Sequence, residues 1–341
     1  MKIGVLTGGG DCPGLNAVVR AVVKKAEKGG DSVFGIKNGW AGLIKGLVEP
    51  LTDFSVSGIL PKGGTILGTS RTNPFKDQES VQRCLTNLKR FGLDALVAIG
   101  GEDTLGAARR FSDLGLPVVG VPKTIDNDLA GTDQTFGYDT AVNVVTEAID
   151  RLHSTAESHH RIMVVEVMGR DSGWIATAAA IAGGADQCLI PEKPYDLEEI
   201  SRSLLRRQQR GKDFSIVVVA EGAKPADGGV VTQDSSVDQF GHVRLGGIGT
   251  VIARELEERT GIEARVTILG HIQRGGTPSA FDRILATRFG LRAVDLVRGK
   301  KFGRMVCLSG GRISDTELPP EDRKKRAFDP EFYGDAEVFF G

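Results

Sequence analysis

At 341 residues the chain exceeds the usual size of one hydrophobic core, so two domains are expected, with 40% hydrophobic residues available for a large interior. Forty-three Lys plus Arg against 44 Asp plus Glu leave a formal charge of −1, which removes any global electrostatic case for nucleic acid or an anionic membrane surface. Cys12, Cys84, Cys188 and Cys307 form neither a CxxC pair nor a secreted framework, and no run approaches the about 20 apolar residues of a membrane span. The opening MKIGVLTGGGD lacks a signal-type apolar core. A cytoplasmic protein without a membrane partner is the expectation.

In chain order, IGVL at 3–6 predicts a strand, TGGGDCPG a turn, and the period of Leu15, Val18, Val19 and Val22 a helix with Pro13 in its first turn. The glycine turn suits either a phosphate cradle at a helix start or a tight structural turn. It is neither GxGxxG nor a P-loop. PKGGTILGTSRTNPF at 61–75 is a second glycine-rich turn, in which Arg71 suits bidentate phosphate binding or a surface ion pair.

DALVAIG at 94–100 and PVVGV at 117–121 are nearly continuous apolar strands, the mark of a parallel sheet covered on both faces. Their ends carry GGEDT and KTIDND. A carboxylate at a phosphate-binding helix start needs a bridging cation, so Glu102 is a candidate Mg²⁺ contact, whereas Asp103 or Thr104 alone suits an N-cap. In TIDND, one aspartate can take a hydroxyl proton while a second orients metal or water.

A long helix is predicted from Tyr138 to about Ser154, followed by strand RIMVVEV (161–167) and helices at 174–182 and 197–209. Strand FSIVVVAEG (214–222), a helix near 249–259, strand RVTILG (265–270), a helix over 278–298 and strand MVCL (305–308) follow, and the tail from Gly310 reads as irregular. Arg161, Arg170, Glu221, Arg265, His271 and Arg274 lie at strand ends, where arginines and a histidine suit a phosphorylated polar substrate and Glu221 its hydroxyls. His159 and His160 lack metal-ligand spacing, RSLLRRQQRGK (202–212) reads as a solvated helical face, and Cys12 as a packed side chain.

GGGDCPGLNAVVR, GTSR, GGEDTLG, PKTIDNDLAGTD, RIMVVEVMGRDSG, AEG and TILGHIQRGG together resemble the phosphofructokinase family over about residues 1–308. The resemblance implies an α/β fold of two Rossmann-like domains with mainly parallel sheets. The larger, phosphoryl-donor domain would comprise 1–137 and 273–309, and the smaller, sugar-phosphate domain 138–272 and 310–341. It implies transfer to the 1-hydroxyl of fructose 6-phosphate, with Asp126 as base, Thr124 and Asp128 beside it, Arg170 stabilising the transferred group, and Glu102, where aspartate is common, holding Mg²⁺. Gly10 and Arg71 would contact the donor. Met168, Gly169, Glu221, His271 and Arg274 would hold the sugar phosphate, with Arg161 and Arg265 supplied by a neighbouring subunit of a homotetramer or dimer.

Two departures bear on the donor. The common bacterial ATP-using pattern has glycine where this chain has Asp103 and Lys123. Asp103 would repel a nucleotide's inner phosphate, and Lys123 would neutralise Asp103 and contact pyrophosphate, so the pair resembles the pyrophosphate-dependent branch. ATP use is the alternative, and a noncatalytic sugar-phosphate sensor the alternative of another class. At the effector positions Arg20 and Lys24 match a basic site, whereas Asp53 and His153 weaken it, so little allosteric response is implied.

Overall fold

The computed structural model describes residues 1–226, 232–237, 243–320 and 325–340. Two compact units divide the chain, one built mainly from Met1–Thr140 and Arg274–Arg326, the other mainly from Ala141–Val237 with residues 243–273 and 327–340.

The first unit begins β1 (Lys2–Thr7), α1 (Leu15–Lys28), β2 (Ser32–Ile36), α2 (Gly39–Lys45) and β3 (Val48–Leu51). It continues with α3 (Gln78–Phe91), β4 (Ala95–Gly100), α4 (Glu102–Asp113), β5 (Val118–Thr124) and β6 (Phe136–Gly137). Helix α5 (Tyr138–His159) leads into the second unit: β7 (Ile162–Val167), α6 (Trp174–Gly183), β8 (Gln187–Leu189), α7 (Leu197–Gln209) and β9 (Ser215–Ala220). Next come β10 (Thr232–Val237), β11 (Val243–Leu245), α8 (Ile248–Thr260) and β12 (Ala264–Ile268), and a 3₁₀ turn at Gly270–Arg274. Helix α9 (Ala280–Arg298), β13 (Arg304–Ser309) and β14 (Arg312–Glu317) return to the first sheet, and α10 (Pro330–Glu337) to the second unit.

The first sheet runs β14-β13-β5-β4-β1-β2-β3, with β6 beside β5. Its centre is parallel and its outer pairs, β2 with β3 and β13 with β14, are antiparallel. Strands β4 and β5 are buried almost throughout, as their nearly continuous apolar runs require of a sheet covered on both faces. Leu6, Leu96, Phe111, Met305 and Leu318 share one core with Trp40, whose ring lies 5.1 Å from Phe111. The second sheet, β12-β7-β9-β8, is wholly parallel. Its core joins Val164 and Val217 to Leu204, Ile252 and Leu256 from α7 and α8.

Three sequence expectations are corrected. Helix α1 starts at Leu15 behind an N-cap Gly14 at φ 108°, so Pro13 lies in the preceding turn rather than in the helix. Residues 312–317, expected to be irregular, form an edge strand paired with β13, so the first part of the tail belongs to the unit of Met1–Thr140. The helix at 202–209 is not solely a solvated face, because Arg207 pairs with Asp186 at 2.6 Å with both side chains mostly buried.

Asp282, near the start of α9, is buried and accepts the Thr140 amide at 2.8 Å, and burial pushes its carboxyl up to about 6 from 3.8. A raised carboxyl pKa contributes stability below its unfolded value and loses it as pH rises through the folded one. Asp282→Asn keeps the acceptor and cannot ionise. Thermal melts should therefore show the variant gaining on the parent as pH rises from about 4 to about 7; a pH-independent gap would contradict this.

Candidate active site

The first sheet reverses its direction of winding between β1 and β4, the position where open α/β sheets hold ligands beyond their strand ends. The Gly8 amide donates to the Ile99 carbonyl at 2.9 Å, drawing the loop after β1 against the end of β4. A Cβ on Gly8 would lie 2.6 Å from Thr104 Oγ1, so only glycine permits this approach. The third loop joins through Gly9, whose amide donates to the Ser70 carbonyl at 3.1 Å and whose carbonyl accepts Thr69 Oγ1 at 2.5 Å. Gly10 and the turn containing Arg71 thus belong to one loop cluster, with the Arg71 side chain exposed.

Lys123 ends β5 buried at 3% exposure, with its ammonium donating to the Gly10 carbonyl. Burial, opposed chiefly by Cys12, holds its pKa below the ordinary lysine value. The bond seen for Lys123 is thus to the glycine loop, and Arg274, Asp11 and Asp126 are among the charges acting on it. Glu102 and Asp103 occupy the first turn of α4 behind Gly101, where carboxylates complement the helix dipole.

The TIDND loop is shaped by its asparagine. Asn127 has φ 54°, a left-handed turn that asparagine tolerates, and its Oδ1 accepts the Thr135 amide at 3.1 Å. Thr124 Oγ1 accepts the Asp126 amide at 3.1 Å, and the Thr124 carbonyl accepts Thr135 Oγ1 at 2.7 Å. Asp128 faces Lys325 at 3.0 Å, and the same ammonium lies 3.9 Å from Glu102. Arg274, which the resemblance assigned to the sugar phosphate, lies in the first unit. Its Nη1 donates to the Asp11 carbonyl at 3.4 Å. Cys12 is buried with its thiol pushed up to about 12, as a packed side chain should be.

In the second unit, the loops after β7, β9 and β12 converge. The Glu221 amide donates to the Val167 carbonyl at 2.8 Å, and the Gly222 amide to that of Gly169 at 3.1 Å. A Cβ on Gly222 would lie 1.9 Å from the Arg170 carbonyl, so glycine at 222 is what lets the two loops touch. Fully buried Gln273 accepts the Met168 amide at 3.2 Å and donates to the Gly270 carbonyl at 3.0 Å, fixing the turn that bears exposed His271. Gln273 lies inside the GHIQRGG motif, but its role depends on a partner 105 positions away.

Arg161 and Arg265 sit elsewhere. Arg161 precedes β7 and Arg265 pairs in register with Met163, so both lie at the strand starts whereas Met168 and Gly169 follow the β7 end. The six residues of β7 separate Arg161 from Met168, about 20 Å at roughly 3.3 Å per residue. Both arginines contact Glu263, Arg161 at 2.7 Å, and these bonds hold the Glu263 carboxyl below the usual range. At the positions where the resemblance implies an effector site, Lys24 is engaged by Asp53, and His153 bonds the Gly183 carbonyl at 2.7 Å.

Residues 2–297 match the phosphofructokinase family model. The chain belongs to the phosphofructokinase family. It is 56% identical over 343 residues to the pyrophosphate–fructose 6-phosphate 1-phosphotransferase of Streptomyces coelicolor, covering 100% of both chains. ATP-dependent 6-phosphofructokinase 2 of the same organism is 52% identical over 337 residues, with 96% of this chain and 99% of the relative covered. The solved phosphofructokinase of Pichia pastoris superposes with a TM-score of 0.84 at 33% identity over 99% of this chain, which spans 36% of that longer one. This family likeness accounts for the α/β architecture of both units.

Gly222→Ala should force the Arg170 loop aside and lower stability by about 1–3 kcal/mol, measured by chemical denaturation. A loss under about 0.5 kcal/mol would show that the two loops do not constrain each other.

Proposed function

We propose that this protein transfers a phosphoryl group from pyrophosphate to the 1-hydroxyl of fructose 6-phosphate, yielding fructose 1,6-bisphosphate and phosphate, reversibly. One observation carries the donor: Asp103 and buried Lys123 stand at the ends of the adjacent strands β4 and β5, and Lys123 bonds the Gly10 loop. Overall similarity does not separate the donors, since relatives named for pyrophosphate and for ATP are 56% and 52% identical. Two like charges about 4 Å apart repel by roughly 4 kcal/mol at an effective dielectric near 20. Asp103 thus opposes the inner phosphate of a nucleotide, while Lys123 adds an ammonium for the shorter donor.

In this reading Asp126 takes the proton from the 1-hydroxyl as its oxygen bonds to the transferred phosphorus. The bridging P–O bond of pyrophosphate breaks, and phosphate leaves with the electron pair. Thr124, through its bond to the Asp126 amide, holds that loop in shape, and Arg170 stabilises the charge on the transferred group. Met168, Gly169, Glu221, His271 and Arg274 orient the sugar phosphate. Among the described residues no group of three or more His, Cys, Asp or Glu forms a ready metal cage. Mg²⁺ needs none, because it takes one or two carboxylates plus substrate phosphates and waters. Glu102 and Asp128, which face one ammonium, fit that donor set. When bound, the cation would neutralise charge on the donor phosphates.

Arg161 and Arg265, at the far strand edges from Met168, would complete the site of a neighbouring copy, so the active form is a homotetramer or dimer. No helix among the described residues is long and apolar enough to cross a membrane, in keeping with a cytoplasmic enzyme.

Initial rates with fructose 6-phosphate and Mg²⁺ should give pyrophosphate a kcat/KM at least about tenfold above ATP, with a measurable reverse reaction; activity with ATP alone would overturn the donor. Sedoheptulose 7-phosphate in parallel tests the acceptor, and absence of turnover with every pair would favour a sensor. For the shared site, mixing Arg161→Ser with Asp126→Asn subunits should restore activity above either parent. Mixed oligomers that form but stay inactive would contradict it.

A further inference from the structure

The tail residue Lys325 belongs to no motif named above, yet its ammonium stands 3.0 Å from Asp128 Oδ2 and 3.9 Å from Glu102 Oε2. The contact is not a loose surface pairing. The Asp128 carboxylate is only 12% exposed, and Lys325 itself 32%. Its neighbour Arg326 donates its backbone amide to the Asp128 carbonyl at 2.8 Å and a guanidinium N–H to the Asn127 carbonyl at 3.4 Å. Both the backbone and the carboxylate of Asp128 are therefore gripped by consecutive tail residues. Upstream, β14 and fully buried Leu318 fix the tail to the first sheet. Downstream, Phe328 and Phe332 pack on Trp174 at 5.0 and 5.8 Å, and Tyr333 Oη donates to the Cys188 carbonyl at 2.7 Å.

We infer that Lys325 is a tethered cation of the donor site, holding Glu102 and Asp128 in the place a divalent cation takes when it arrives with the donor. The inference rests on the reading of those two carboxylates as the cation site. Its chemistry is a charge exchange. Among these three groups two carboxylates and one ammonium leave a single negative charge, which draws a free divalent cation weakly, and that cation must first displace an ammonium held near by the backbone bond of its neighbour Arg326. A diphosphate supplies new oxygens for the displaced ammonium as well as ligands for the metal. Cation and donor therefore enter together, and the free cation is held poorly. Lys325 is thus a positioning residue for the carboxylate pair.

The test uses Mn²⁺ alone as probe, with the full-length oligomer and free Mn²⁺ followed by electron paramagnetic resonance. Lys325→Met should bind Mn²⁺ at least about tenfold more tightly than the parent in the absence of any diphosphate, and Lys325→Arg should stay near the parent. Adding Glu102→Gln to Lys325→Met should abolish the gain. Equal Mn²⁺ affinity in Lys325→Met and the parent overturns the inference. If the parent then binds Mn²⁺ with imidodiphosphate and Glu102→Gln does not, the cation-site reading stands alone. Failure of every form to bind Mn²⁺, with or without imidodiphosphate, removes both.

Discussion

The 2.9 Å bond from the Gly8 amide to the Ile99 carbonyl decides where chemistry can occur in the first unit. It brings the turn after β1 against the start of α4, close enough that any side chain at residue 8 would strike Thr104. Once that contact is made, Gly9 meets the Ser70 turn and Gly10 receives Lys123. A buried ammonium is costly unless bonded, so the Gly10 carbonyl is what makes lysine tolerable at the end of β5. Backbone glycines, a lysine and two carboxylates of α4 then share one edge of one sheet. In the proposed function that edge receives the short, highly charged donor.

The second unit solves a different problem with the same means. Its three loops are fastened by backbone bonds at Glu221 and Gly222 and by the buried amide of Gln273, leaving Arg170 and His271 on a rigid frame. Preorganisation of this kind suits phosphoryl transfer, where positioning and charge stabilisation supply most of the catalysis. The arginines at the opposite strand edges have no use for these loops within one chain. Within the chain both pair with Glu263 instead.

Strands buried on both faces wrote themselves plainly into the sequence: β4, β5, β7 and β9 are nearly continuous apolar runs, and α7 spans the residues its period indicated. The β2–α2–β3 segment and α3 left weaker traces, because SVFGI is interrupted by glycine and α3 buries only part of one face. Polar RISDTE hid β14, an edge strand whose pairing with β13 is a matter of tertiary position. Asp126, Asp128 and Lys123 stood out through their loops. Asn127, Gln273 and Lys325 did not, since each acts through a partner that no local pattern reveals.

In the proposed function the carboxylate at 103, beside the Lys123-bearing loops, selects a diphosphate over a nucleotide. The most direct measurement is the ratio of kcat/KM for ATP to that for pyrophosphate in Asp103→Gly, alone and combined with Lys123→Gly. Relief of roughly 1.4 kcal/mol or more of repulsion should raise that ratio at least about tenfold. If the ratio stays at the parent value in both variants while the enzyme remains folded and active, selection of the donor does not reside in this pair.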